Sequence, residues 1–337
     1  MKVFFLFFLI VLPFISATTF WSVQDSSGDV YGALDLTESD FKLWYSQFPK
    51  IVNTTISSCE IDIVADRDTL LSLYQHGRLT INSITPLHTI LFKDFVNTVV
   101  ANSETPRDLI SSVTKKAALQ LFSMYSGVDP QKVQYEPNLS IEEYEKRALI
   151  VLNWVKSYIK WYNQECLVCG YSKTSFLGMQ APNATEKKIK CDYDTEVYHC
   201  PSCGSYYRFP RFRNFTQLAH QAFGRCSEHS KVFYTVMEAL GYTPRYIVCY
   251  CNHVWVELFL NNAWYHTDPS EAFFNNPYVY ETHWGWKLNW IFGHEPTSVV
   301  DVLSRYTHHY SDCIKRRAMS QETLDKILNE ANEILNG

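Results

Sequence analysis

The chain has no uninterrupted apolar stretch of the roughly 20 residues that a helical membrane span requires, so no stable membrane span is expected. It has no large charge of one sign either: 30 Lys and Arg stand against 35 Asp and Glu, a formal net charge of −5. That mild acidity gives no reason to expect nucleic acid as a partner, because phosphate contacts demand clustered basic charge. No internal repeat and no low-complexity tract interrupts the 337 residues, which argues against a repeat architecture. What the chain does have is apolar mass: 46% of its residues are hydrophobic, enough for a sizeable core in one or two globular units.

The first residues carry an address. Lys2, the apolar run from Val3 to Leu12, and Ile15-Ser16-Ala17 follow the positive, apolar and small-residue order of a secretory signal peptide, with cleavage expected near Ala17. A buried N-terminal helix is the competing reading. Sequons at Asn53, Asn138, Asn183 and Asn214 fit a secretory route. The expected location is therefore the secretory pathway, in the endoplasmic reticulum lumen, a lysosome-like compartment or outside the cell, with the cytoplasm as the alternative.

The chemistry concentrates between Cys226 and Asp268. Cys226 precedes Val232, Phe233, Val236, Met237 and Leu240, whose spacing is helical, and Gly241 reads as the cap. A thiol at a helix N-terminus is favoured as thiolate. In the run His253 to Phe259, alternation puts Val254, Val256 and Leu258 on one face and His253, Trp255 and Glu257 on the other. An Asn261-Asn262 turn leads to a second run, where Trp264, His266 and Asp268 share a side. Two antiparallel strands then bring His253 beside Asp268, facing the start of the Cys226 helix. The set suits attack on an amide: the thiol as nucleophile, His253 as its base and as acid for the leaving amine, Asp268 to hold the tautomer. Each residue alone also reads as a buried core residue, and only the ordered set points to catalysis.

The same residues resemble a known family. Gly224-Arg225-Cys226-x-Glu228, His253-Val254-Trp255-x-Glu257 and Trp264-x-His266-x-Asp268-Pro269-x-Glu271 are similar to the transglutaminase-like core of the peptide:N-glycanases. The resemblance runs from about residue 140 to 320 and takes in Arg208-Phe209-Pro210-Arg211, Tyr280-Glu281 and Trp284-Gly285. It implies an α+β fold with a helix-borne Cys packed on an antiparallel sheet. It also implies hydrolysis of the bond between an N-glycan and asparagine in unfolded glycoproteins or glycopeptides. The runner-up activities are a transglutaminase or a cysteine peptidase on other amides, and a silent glycoprotein-binding module. Two departures stand out: Ser227-Glu228-His229 where the family commonly has Gly-Glu-Trp, and Asn252 where it commonly has Asp.

Cys166-x-x-Cys169 and Cys200-x-x-Cys203 have the spacing of two metal knuckles, with disulfides as the competing reading. The resemblance implies a structural zinc ion, since four thiolates leave no open position. Five of the ten cysteines remain after zinc and catalysis. Of these, Cys249 and Cys251 either pair elsewhere or stay buried. The family's sugar contacts carry over to Arg245, Trp255, Glu257, Trp264 and Glu271, although a lone Trp is more often core.

The expected organisation is a signal peptide (1–17), a mainly helical region (18–164), a zinc module (165–210), the catalytic core (211–310) and a C-terminal helix (311–337). Residues 18 to 40 read as loop. Helices are expected over Asp108 to Tyr125, over a stretch of Leu149 to Trp161 leading into the first knuckle, and over Met319 to Leu335.

Overall fold

The computed structural model describes residues 19–25, 30–36, 81–86, 92–188, 195–212, 214–315, 317 and 321–337. The signal segment, Asn53, Cys59 and Cys191 lie outside the described residues. The chain divides into Met1–Leu91 with Lys315–Gln321, and Phe92–Ile314 with Glu322–Gly337. In the first unit, β1 (Thr19–Asp25) pairs antiparallel with both β2 (Val30–Leu36) and β3 (Ile81–Pro86). Strands thus occupy a stretch whose sequence reads as loop.

The second unit begins with α1 (Phe92–Leu109), α2 (Ser112–Ser126) and α3 (Ile141–Tyr158). The helix expected over Asp108 to Tyr125 is α2, which starts later, at Ser112, because Ser111 takes an extended conformation and its side chain caps the helix through the Thr114 N–H. Ser140 caps α3 likewise, and Tyr144, Ala148, Val151, Leu152 and Val155 bury one face at helical spacing. α3 stops at Tyr158. Lys160–Trp161 then turn to strand (β4), which leaves Trp161 44% exposed rather than on the apolar helix face.

β5 (Ser175–Gln180), α4 (Ala184–Lys188), β6 (Thr195–His199) and β7 (Tyr206–Phe209) follow, the three strands forming one antiparallel sheet. After α5 (Phe215–Gln221), β8 (Phe223–Gly224) pairs in parallel with β4. Helix α6 (Cys226–Ala239) comes next. Its end is fixed by Gly241 at φ 87, with Gly241 N–H bonding Glu238 O at 3.2 Å and Tyr242 N–H bonding Met237 O at 3.0 Å. The cap residue itself is Leu240, and Gly241 follows it in the left-handed conformation that glycine adopts freely.

The large sheet has the order β12-β11-β10-β9-β13-β14, from β9 (Thr243–Cys249), β10 (His253–Leu260), β11 (Ala263–Asp268), β12 (Phe273–Phe274), β13 (Ile291–His294) and β14 (Val299–Asp301). All its pairings are antiparallel. Asn261 and Asn262, both at positive φ, make the β10–β11 turn that the sequence specifies. Helices pack on one face: Val232, Phe233, Val236 and Met237 of α6 join Val256, Leu258 and Leu260 in a core shared with α2, α3 and α5. The other face is covered by α7 (Val279–Thr282) and by Leu303 and Tyr306, which enclose Ile247, Trp255 and Ile291. The short helix α8 (Tyr310–Lys315) precedes α9 (Gln321–Asn336), which buries Leu324, Ile327, Leu328, Ala331 and Leu335. This is the α+β architecture expected. Cys249 and Cys251 are disulfide-bonded to each other, a third arrangement beside pairing elsewhere and simple burial.

Candidate active site

The signature around Cys226 has a steric cause. A Cβ at Gly224 would collide with the Cβ and Cγ of Glu228, so glycine lets that side chain fold back over the chain. Glu228 Oε2 then accepts the Arg225 N–H at 2.8 Å and closes the first turn of α6, with Cys226 as its first residue. Cys226 is a free thiol, partly exposed. It lies where the helix dipole is positive.

His253 opens β10 after a turn in which Asn252 sits at φ 68. Asn and Asp both tolerate that conformation, so Asn252 keeps the turn that an Asp would make. The His253 Nε2 lies 2.7 Å from Asp268 Oδ2, and the Cys226 thiol is near enough to the ring to raise its proton affinity. Burial disfavours the imidazolium, but the Asp268 hydrogen bond and charge, with Cys226, more than offset this and push His253 up to about 10. Asp268 is wholly buried. Burial favours its neutral form, and the His253 hydrogen bond and charge overcome that to hold the carboxyl well below its ordinary range.

His229, at the position where the resembling family commonly has Trp, is buried and hydrogen-bonds Arg225 O through Nδ1 at 2.7 Å. Its ring sits 5.8 Å from that of Trp161. The His253–Asp268 hydrogen bond forms with His229 in that place.

The five residues expected at a sugar site separate. Trp255 is 0% exposed: its Nε1 donates to Tyr306 Oη at 2.7 Å and its ring stacks on Tyr280 at 4.4 Å, so it is core. Glu257 is wholly buried too, with Oε2 held by Arg245 and Oε1 by Arg305 and Tyr306, each at 2.7 Å. Its acceptors are already engaged within the protein. Arg245 is also buried and lies 4.0 Å over the Trp264 ring. Only Trp264 and Glu271 keep partial exposure, and Glu271 pairs with Lys156 at 3.6 Å. The aromatic groups against His253 are Trp284 at 5.3 Å, Tyr280 at 5.4 Å, the buried Trp255 at 5.7 Å and Trp286 at 5.8 Å. Trp284 and Trp286 are half-buried. They lie in a loop without periodicity, so sequence offered the Trp284-Gly285 motif but no facing direction.

The four knuckle cysteines converge, all four Sγ atoms within 4.8 Å of one another. Cys166–Cys203 and Cys169–Cys200 are each 3.7 Å apart and none is disulfide-bonded. Thiolates about 2.3 Å from a central ion would be about 3.8 Å apart, so the cluster could hold a tetrahedral metal ion. The two knuckles repeat one geometry: Gly170 N–H bonds Cys166 O at 2.8 Å and Gly204 N–H bonds Cys200 O at 2.9 Å, both glycines at positive φ. β6, which leads into Cys200, carries Glu196. Its carboxylate takes both Arg225 guanidinium nitrogens at 2.7 and 2.8 Å and Arg211 at 2.8 Å, while Arg211 also grips Glu228. The cysteine module is thereby tied to the residue preceding Cys226.

Residues 179–269 match the family model described as the transglutaminase-like superfamily, a span that contains Cys226, His253 and Asp268. Three curated relatives bear the name peptide-N(4)-(N-acetyl-beta-glucosaminyl)asparagine amidase. The Arabidopsis thaliana protein is 29% identical over 69% of this chain and 31% of its own length. That of Saccharomyces cerevisiae is 35% identical over 45% of this chain and 43% of its own, and that of Mus musculus 31% identical over 66% and 34%. The chain is therefore similar to transglutaminase-like proteins over this span, and to the peptide:N-glycanases over more of its length. The chain spans less than half the length of these relatives.

About one metal ion per chain is expected by elemental analysis. Cys200→Ser, at a wholly buried ligand, should cost about 4 kcal/mol, a fall of roughly 10 °C in melting temperature. An unchanged melt would contradict a structural ion. The raised His253 also predicts a pH effect: its folded value of about 10 exceeds the ordinary 6.5, so its stabilisation is complete below about 6.5 and is lost as pH rises through about 10. The urea midpoint of the wild type should therefore approach that of His253→Gln between pH 7 and 10, whereas a constant difference would contradict the pairing.

Proposed function

We propose that the chain is an amidase that hydrolyses the bond between an N-glycan and the asparagine side chain of unfolded glycoproteins. The Cys226 thiolate attacks the side-chain carbonyl carbon, backbone N–H groups at the start of α6 receive the oxyanion, and His253 protonates the departing glycosylamine. The resulting thioester is hydrolysed by a water that gives its proton to His253, leaving aspartate and the regenerated thiol. Asp268 holds the imidazole throughout. The His253–Asp268 hydrogen bond beside the Cys226 thiol, within a chain whose relatives are named for this reaction, carries the reading. Zinc is the ion we assign to the four cysteines, as a structural cross-link. Small glycoprotein-derived peptides and unfolded chains are the partners; nucleic acid is not among them.

Cys226→Ala is expected to abolish conversion of Asn to Asp in a denatured N-glycoprotein, read by peptide mass, with little change in melting temperature. His253→Ala or Asp268→Ala should slow it by about 1,000-fold or more, because such groups act as one unit. Full activity in Cys226→Ala would remove the mechanism.

We also assign the chain to the secretory pathway. Protein expressed in its own cell should begin near Thr18 and carry glycan on at least one of Asn53, Asn138, Asn183 or Asn214, with Cys226→Ala used to prevent self-removal. A retained Met1 with all four asparagines unmodified in both forms would place it in the cytoplasm instead.

A further inference from the structure

Asp268 serves more than His253. Its Oδ1 accepts from Ser270 N–H at 3.0 Å, Ser270 Oγ at 2.7 Å and Glu271 N–H at 3.4 Å. Its Oδ2 is shared: Tyr280 Oη lies 2.9 Å away, on the same oxygen that His253 holds at 2.7 Å. Tyr280 Oη is in turn 2.8 Å from His266 Nε2, and the Asn276 N–H points at His266 Nδ1 at 3.3 Å. His266, Tyr280 and Asp268 are all buried to about the last percent.

The protons in this chain have one consistent arrangement. An ionised carboxylate only accepts, so Tyr280 donates to Asp268. Tyr280 oxygen then accepts from His266 Nε2–H, and the unprotonated Nδ1 accepts from Asn276. The charge states agree: burial brings His266 down to about 4, keeping it neutral, while burial and the Asp268 charge keep the Tyr280 proton in place. Every donor in the line points towards Asp268. The ring of Tyr280 is fixed independently by stacking on Trp255 at 4.4 Å and by edge contact with Trp284 at 5.1 Å.

We propose that Tyr280 and His266 are positioning residues for the amidase reaction, a directed hydrogen-bond relay that draws on the Asp268 charge and so makes His253 a stronger acid. The proposal rests on the reading of the site given above. A carboxylate with a second strong donor on the same oxygen holds an imidazolium less tightly. His253 must both accept the proton of the thiol and release it to the leaving amine, and a proton affinity set too high slows the release. The relay tempers that affinity without touching substrate.

The test reads the His253 ring directly. In the 337-residue chain carrying Cys226→Ala, which removes the thiol's coupling, His253 is titrated by nuclear magnetic resonance of labelled histidine. The other titratable groups facing the pair are His229 from α6, His266 from β11 and Tyr280 from α7. Adding Tyr280→Phe, which keeps the ring contacts and removes one oxygen, should raise the His253 titration point by about 0.5–1 pH unit, a three- to tenfold gain in proton affinity. His266→Leu should shift it in the same direction by less, and His266→Gln, which retains a donor, should restore it. These two variants give the reading from the far end should Tyr280→Phe not fold. With Cys226 intact, Tyr280→Phe should lower kcat about tenfold and leave KM unchanged. A titration point that stays put or falls in Tyr280→Phe overturns the relay, even if activity is lost. Because the titration uses no glycoprotein, a shift seen in a chain that fails to deglycosylate supports the relay and removes only the proposed substrate.

Discussion

A single buried carboxylate organises this molecule. Asp268 has no contact with solvent, and an isolated charge in that position would be far too costly to keep. Donors on both oxygens make it tolerable: the turn at Ser270 and Glu271 on one side, His253 and Tyr280 on the other. Those donors come from β10, the turn after β11, and α7, so satisfying one charge requires three parts of the chain to be in register. The same constraint sets the tautomer of His253, the ring beside the Cys226 thiol. Folding and chemistry thus share one electrostatic requirement.

A second buried charge set does for the thiol what Asp268 does for the imidazole. Glu228 folds over Gly224 to start α6, and Arg211 holds Glu228 while reaching Glu196. Burial pushes Glu228 towards its neutral form, and the charges of Arg211 and Lys231 reverse this and keep it below its usual range. Arg225, next to the thiol, is clamped bidentately on Glu196 and lies over the Tyr162 and Phe209 rings. Breaking one partner in such a cluster strands the others. The cysteine knuckles therefore do more than close a loop: the strand that leads into Cys200 also carries the carboxylate that holds Arg225, the neighbour of Cys226.

The period-two pattern of β10 and β11 was sufficient to bring His253 to Asp268, because the Asn261-Asn262 turn fixes the register of the hairpin and the apolar face fixes its sense. The same pattern misjudged Trp255 and Glu257. Alternation says which residues share a face, and it does not say whether that face is covered. Here the cover comes from Tyr280 and Tyr306, which lie beyond the hairpin in sequence. The start of α2 was placed too early for a local reason: Ser111 takes an extended conformation and caps the helix, so the residues before it lie outside. Tyr280 and His266 were visible as motif residues, but their part in the Asp268 network depends on hydrogen-bond geometry that no spacing encodes.

The central claim is that a thiol attacks the amide carbonyl of glycosylated asparagine and water completes the reaction at that same carbon. Isotope-labelled water tests this most directly. When a denatured glycoprotein is treated in water enriched in oxygen-18, the account predicts one heavy oxygen in each new aspartate, while the glycan leaves as a glycosylamine that takes up label only when it later loses ammonia to water. Cleavage that leaves asparagine, or that puts the heavy oxygen on the sugar and not on the side-chain carboxylate, would contradict it.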